Sequence, residues 1–308
     1  MSKITASMVK ELREKTGAGM MDCKQALTET GGDMEKAIDW LRAKGLSKAA
    51  KKSSRVAAEG LVGVVTDGTR GALVEVNSET DFVARNEEFQ KMVAEIAKVA
   101  LEAKGDIEAL KAAEFPGAGK SVEEYVKEMV GKIGENMTVR RTEYIEVPEG
   151  VVVSYMHNQV APNLGKIGVL VALKSSGDAE KLAELGKKLA MHVAAAAPLA
   201  LTPEEIPAEI VEREKAIYLE QARESGKPEN IIEKMVEGRM KKFFKESVLL
   251  SQLFVMDNET PVEKVVKQAE AEVGAPVEIA GFRRMQLGEG IEKKQEDFAA
   301  EVAKTAGV

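Results

Sequence analysis

Residues 60–86 read GLVGVVTDGTRGALVEVNSETDFVARN, and the fold turns on how that stretch is divided. Its first part alternates with period two and predicts two strands around Asp67-Gly68, a good hairpin turn. Residues 77–86, NSETDFVARN, then read as a sharp passage from strand into helix. The amphipathic run EEFQKMVAEIAKVA that follows predicts a helix over about 87–104. Asp81 is placed to cap that helix, which leaves Phe82 at the tip. A large aromatic at such a corner either folds back as a core plug or projects as a wedge for another protein's pocket. On its own the local sequence favours the plug.

Moving outward, a loop leads to SVEEYVKEMVGKIG, where Ser121 and Glu124 form a capping box, and then to the strand TEYIEVPEG. The same order recurs from Gly150. GVVVSYMH and KIGVLVALKSS form a second hairpin, DAEKLAELGKKLAMHVAAAA its helix, and PVEKVVKQAEAEVGAPVEIAGFRRMQLGEG the last helix and strand. Glu123 matches Glu263, Val126 Val266, Gly134 Gly274 and Gly150 Gly290 at one spacing (263 − 123 = 274 − 134 = 140). The inference is an internal duplication of one small α+β unit. Aligning Gly71 with Gly168 places TDFV opposite Gly177, Asp178 and Ala179. If the sister corner folds with small and polar residues, the fold does not demand a phenylalanine, and the wedge reading gains.

Upstream, residues 5–45 predict three short helices. The first carries Met8, Val9 and Leu12 on one side and stops at Gly17; the second spans about 20–30; Asp33 caps the third. Together they resemble a ubiquitin-associated-type domain. Arg13, Met20 and Met21 stand at or beside the first turn. Consecutive helical residues cannot both face one core, so at least one methionine is expected to be partly exposed. The basic segment 42–55 reads as a linker. Within the second unit, residues 202–260 form a charged insertion, expected to be a protruding antiparallel helical hairpin (a short coiled coil) turning at Gly226-Lys227-Pro228. Ile210, Ile217, Ile231, Met235 and Met240 are expected in its narrow seam. Ile291, Gln295, Phe298 and Val302 predict one face of a C-terminal helix.

The expected fold is therefore α+β: a three-helix domain and linker (1–55), a first core unit (56–149), a second with its insertion (150–290), and a C-terminal helical module (291–308). Composition closes off other classes. The 308-residue chain carries a net charge of −7, which argues against a phosphate-rich polymer as main partner. No apolar run reaches the roughly 18–20 residues of a membrane span, and MSKITASMVKELREKTG lacks the apolar centre of a secretory signal, so the expected location is the cytoplasm. Cys23 has no second cysteine to pair with, and the only histidines, His157 and His192, lie far from it in sequence. FPGAGKS (115–121) imitates a phosphate-binding loop but has Glu114 where glycine is required. No metal, cofactor or covalent-catalysis motif is present in the sequence.

Seven segments carry a resemblance: ITASMVKELREKTGAGMMDCKQAL, EVNSETDFVARN, KIGEN, AMHVAA, EGRMKKF, FVMD and GEGIEKKQEDFAAEV, in this order and across nearly the whole chain. They resemble the bacterial elongation factor Ts family. Two departures are the long second hairpin loop NQVAPNLGK and Leu253, which stands where the family often has proline. The resemblance implies a guanine-nucleotide exchange factor for elongation factor Tu, needing no cofactor of its own. It implies that Thr80, Asp81, Phe82 and Val83 disturb the partner's Mg2+ site. Arg13, Met20, Met21, His157, Val255, Met256, Ile291 and Phe298 would be further partner contacts. The competing reading is a non-exchanging adaptor built on the three-helix domain.

Overall fold

The structure, a computed structural model, describes residues 4–44 and 52–292. The chain opens with α1 (Ala6–Thr16), α2 (Met20–Glu29) and α3 (Met34–Ala43). Thr5 accepts a hydrogen bond from the Met8 N–H, Gly17 closes α1 in the left-handed region (φ 58°), and Asp33 caps α3 through the Lys36 N–H. Val9, Leu12, Cys23, Leu27 and Leu41 fill the shared core. Burial pushes the Cys23 thiol up, so it packs as a small apolar side chain.

The first unit follows as β1 (Glu59–Asp67), β2 (Arg70–Ser78), α4 (Glu87–Ala103), α5 (Ile107–Ala112), α6 (Val122–Ile133) and β3 (Met137–Glu146). The second comprises β4 (Gly150–His157), β5 (Leu164–Gly165), β6 (Ile167–Lys174) and α7 (Ala179–Ala196). The hairpin α8 (Ala208–Arg223) and α9 (Glu229–Ser247) is next, then α10 (Val262–Val273) and β7 (Glu278–Gln286). Two antiparallel sheets result, ordered β3-β2-β1-β5 and β4-β6-β7. The long loop 158–166 contributes β5, which pairs with β1, so the second hairpin lends a strand to the first sheet.

The two units share irregularities that chance would not place at matched positions. Arg140 is the extra residue of a bulge opposite Glu75/Val76, and Ala280 is the extra residue opposite Ala172/Leu173. These sit at the same spacings as the glycine pairs (172 − 75 = 168 − 71 = 97; 280 − 140 = 140). A Cβ on Gly60 (φ 119°) would lie 2.2 Å from the Val76 carbonyl oxygen, and one on Gly150 (φ 130°) 1.9 Å from that of Leu173. The unused sheet faces pack together reciprocally. Gly71 admits Leu170 and Val152, while Gly168 admits Leu73 and Val62, so the strands approach as only glycine allows. Helix burial also matches: Phe89, Met92, Ile96 and Ala97 of α4 occupy the places of Leu182, Leu185, Leu189 and Ala190 of α7. That correspondence runs at 93 residues (182 − 89 = 189 − 96), against 97 for the hairpins. The first unit therefore carries four extra residues (97 − 93) between strand and helix, and they fall in the corner that contains Phe82.

Several expectations are corrected. Asp81 does not cap the helix: a 3-10 turn, Val83–Arg85, intervenes, and the Asn86 side chain accepts the Glu88 and Phe89 N–H groups instead. The first hairpin turns at Gly68-Thr69, because Asp67 still pairs with Arg70. The loop after α4 contains α5, capped by Asp106. In the helical hairpin the seam is Ala222, Ile232, Val236 and Met240, with Met235 packed beside it; Ile217 and Ile231 face outward. Ile210 belongs to a separate cluster at the hairpin's base with Ala200, Ile206 and Val248. Residues 45–51 of the basic linker and residues 293–308 of the expected C-terminal helix fall outside the described residues.

A braced corner as candidate interaction site

Phe82 is 75 % exposed, the largest apolar side chain so presented among the described residues. Its neighbours divide the work. Val83 and Ala84 are buried in the cluster formed by α4, α6 and the first sheet, so the core plug at this corner is Val83. Exposure of Phe82 follows from the 3-10 turn, whose Arg85 N–H bonds back to the Phe82 carbonyl and turns the ring outward while Val83 turns in.

The corner is held from both sides of the strand end. The Thr80 N–H donates to Glu135 Oε2 (2.9 Å) and its hydroxyl to Glu135 Oε1 (2.7 Å), while the Ser78 hydroxyl donates to the Thr80 carbonyl (3.0 Å). In the reverse sense, the Asn136 N–H donates to Glu79 Oε1 (2.5 Å) and its side-chain amide to the Arg55 carbonyl (2.7 Å). The Arg55 guanidinium lies 3.4 Å from Glu79. Each segment thus supplies a carboxylate that accepts a backbone N–H of the other. Sequence reading missed Glu79, Glu135 and Asn136; KIGEN was visible only as part of a resemblance.

The other predicted residues lie at several separate places. Arg13, Met20 and Met21 are exposed, and a groove lined by Lys10, Arg13, Glu14, Gly17, Gly19 and Met20 marks the first turn. His157 is exposed at the end of β4, with Nδ1 3.2 Å from the Tyr155 hydroxyl. Val255 is half-buried, Met256 is exposed, and Ile291 is half-buried just after a turn bonded to Gly288. Phe298 lies outside the described residues.

A buried histidine supports the 252–256 loop. The Val255 N–H donates to His192 Nδ1 (3.2 Å), which leaves Nε2 to donate to Gln252 Oε1 (2.9 Å). The Gln252 amide donates onward to the Glu246 (2.7 Å) and Ala196 (3.3 Å) carbonyls. Every donor has an acceptor only when the imidazole is neutral, and burial pushes its pKa down in the same sense. Among the described residues, no cluster of His, Cys, Asp and Glu could hold a metal ion, and no helix is long and apolar enough to cross a membrane.

Comparison with known proteins bears on the whole chain. The family described as "Elongation factor TS" matches residues 79–289, which begin at the braced corner. The chain is 65 % identical to elongation factor Ts of Parvibaculum lavamentivorans over 306 residues, 99 % of both chains. It is 62 % identical to that of Rhizobium etli over 303 residues, 98 % of each, and 59 % identical to that of Rhizobium meliloti over 98 % of this chain and 99 % of that one. With the family match extending over most of the chain and these identities over nearly all of it, the chain belongs to the elongation factor Ts family.

Proposed function

We propose that this protein promotes GDP release from elongation factor Tu in the cytoplasm by pressing Phe82, flanked by Thr80, Asp81 and Val83, against the partner's Mg2+ site. The observation that carries the reading is the exposed ring on a corner whose neighbours are locked into the core and onto Glu135. Exchange requires no covalent step. A factor that binds the nucleotide-free GTPase more tightly than the GDP-bound form weakens GDP by the same ratio. Because Mg2+ bridges phosphate and protein oxygens, displacing it removes the largest local positive charge. Arg13, Met20, Met21, His157, Val255, Met256, Ile291 and Phe298 supply affinity around that wedge. Neither nucleic acid nor membrane is needed.

The test is GDP release from elongation factor Tu, followed by stopped-flow with labelled nucleotide. Phe82→Ala slows release while shifting unfolding by less than about 0.5 kcal/mol, since most of the ring is already in water. Val83→Ala, by contrast, removes two buried methyl groups and costs about 2 kcal/mol of stability. Wild-type release rates with Phe82→Ala refute the wedge, and binding without release at any concentration of wild-type protein favours the adaptor instead.

A further inference from the structure

The two units permit a comparison at the position where their corners diverge. At the hairpin spacing Thr80 corresponds to Gly177 (177 − 80 = 97), and at the last-helix spacing Glu135 corresponds to Ala275 (275 − 135 = 140). In the second unit the corner closes directly on the end of α10. A Cβ on Gly177 would lie 2.4 Å from the Val273 carbonyl oxygen and 3.1 Å from the Ala275 Cβ, and the Asp178 N–H donates to the Val273 carbonyl. Asp178 itself then caps α7 at once. The first unit puts a threonine and a glutamate at the same two places, joins them by two hydrogen bonds, and follows them with its four extra residues. Glu79 and Asn136, which form the reciprocal bond, correspond to Ser176 and Pro276. Proline has no N–H to donate, so the second unit lacks that link too.

The same fold thus closes without either carboxylate in one copy and employs both in the other. From this we infer that Glu135, with Glu79 as its reciprocal, is a positioning residue that fixes the Phe82 corner for nucleotide exchange rather than a requirement of the fold. The inference rests on the exchange reading above and extends it to a residue 55 positions away in sequence. Glu135 touches no reacting atom. It acts by holding both Thr80 donors, so that force on the ring is borne by α6 and β3 instead of being lost in loop movement.

The test uses the full chain with elongation factor Tu and separates maximal release rate from half-saturating concentration. Glu135→Gln preserves shape but presents an amide N–H to one of the two Thr80 donors. The expected result is a maximal GDP-release rate about tenfold lower, roughly one charge-assisted hydrogen bond, with the half-saturating concentration within about twofold. Amide hydrogen exchange at Thr80 accelerates in parallel. Combining Glu135→Gln with Phe82→Ala gives no further slowing beyond Phe82→Ala alone, because the glutamate works through the ring. Thr80→Val, which removes only the hydroxyl donor, gives a smaller loss of the same kind, and a Glu135→Gln chain that fails to fold overturns the inference that the fold does not require the glutamate. If Phe82→Ala is slow but Glu135→Gln or Thr80→Val keeps the wild-type maximal rate, the clamp is overturned and the exchange reading survives. Additive slowing in the double variant also overturns it. A wild-type rate for Phe82→Ala overturns the reading on which the clamp depends.

Discussion

Glu75→Gln tests whether the first unit's buried charge cluster ties the two halves together. Glu75 is fully buried in β2, and its carboxylate accepts from the Gly288 N–H (2.8 Å), the Asn77 amide (2.9 Å), Arg140 (3.1 Å) and Arg141 (2.5 Å). Consecutive strand residues ordinarily face opposite sides, and the bulge at Arg140 is what lets both arginines reach one carboxylate. Their other N–H groups donate to the Gln286 and Glu289 carbonyls. The cluster therefore fastens the turn after β7 to the sheet of the other unit. Ala172 stands at the corresponding position in the second unit, inside the apolar contact between sheets.

Removing one partner of a buried ion pair costs about 3–5 kcal/mol, because the remaining charge is left without compensation. Here the Arg140 and Arg141 side chains are 28 % and 32 % exposed, so water recovers part of the loss, and about 3 kcal/mol is expected at neutral pH. The pH dependence is the sharper readout. Burial by itself would raise the Glu75 pKa; the Gly288 N–H, the Asn77 amide and Arg141 together outweigh it and hold the carboxyl below its ordinary value. With the folded pKa depressed, the stabilisation is complete above the unfolded value near 4.3 and is lost as pH falls through the folded one. Denaturant unfolding at pH 7 and across the acid range should show a lower midpoint for Glu75→Gln and a shallower acid limb. Gly288 amide exchange should accelerate, whereas Glu237→Gln, which breaks an exposed pair with Lys241, should leave the midpoint unchanged. An unfolding free energy within about 0.5 kcal/mol of wild type, together with an unaltered acid limb, would refute the reasoning.

Two further outcomes follow from the same geometry. Gly60→Ala and Gly150→Ala each force a Cβ against a backbone carbonyl at positive φ, so both should destabilise by several kcal/mol and by similar amounts in denaturant melts. His192 has a folded pKa below its ordinary value, so its contribution is complete above about pH 6.5 and is lost as pH falls; thermal melts between pH 7.5 and 5 should show this loss, and His192→Gln should reduce it.

The parts legible in sequence were those whose cause is local. Asp33 and the Ser121–Glu124 box cap the helices they were expected to cap, and Gly17 takes the left-handed position that ends α1. Asp81 misled because Asp and Asn cap equally well. Choosing Asn86 requires knowing that the chain spends one 3-10 turn before the helix, which Val83 and Ala84 decide by entering the core. Ile217 and Ile231 misled because counting apolar residues does not fix which stripe faces the partner helix. The Thr80–Glu135 bond joins residues 55 apart, and β5 is two residues long, so neither leaves a periodic trace.

An aromatic tip can displace a neighbour's atoms only as far as its own base resists displacement. An unbraced loop would have to be ordered when the complex forms, and that entropy would be subtracted from the binding free energy available to separate GDP from its site. In this chain the ordering falls in folding instead: Val83 and Ala84 are fixed by the core, Thr80 by Glu135, and the strand end by Asn136 on Glu79. Phe82 adds almost nothing to that scaffold, being mostly in water, and the second unit closes its corner without the four extra residues. Stability and proposed action are thus carried by adjacent residues pointing opposite ways, so substitutions at residues 82 and 83 should separate them cleanly.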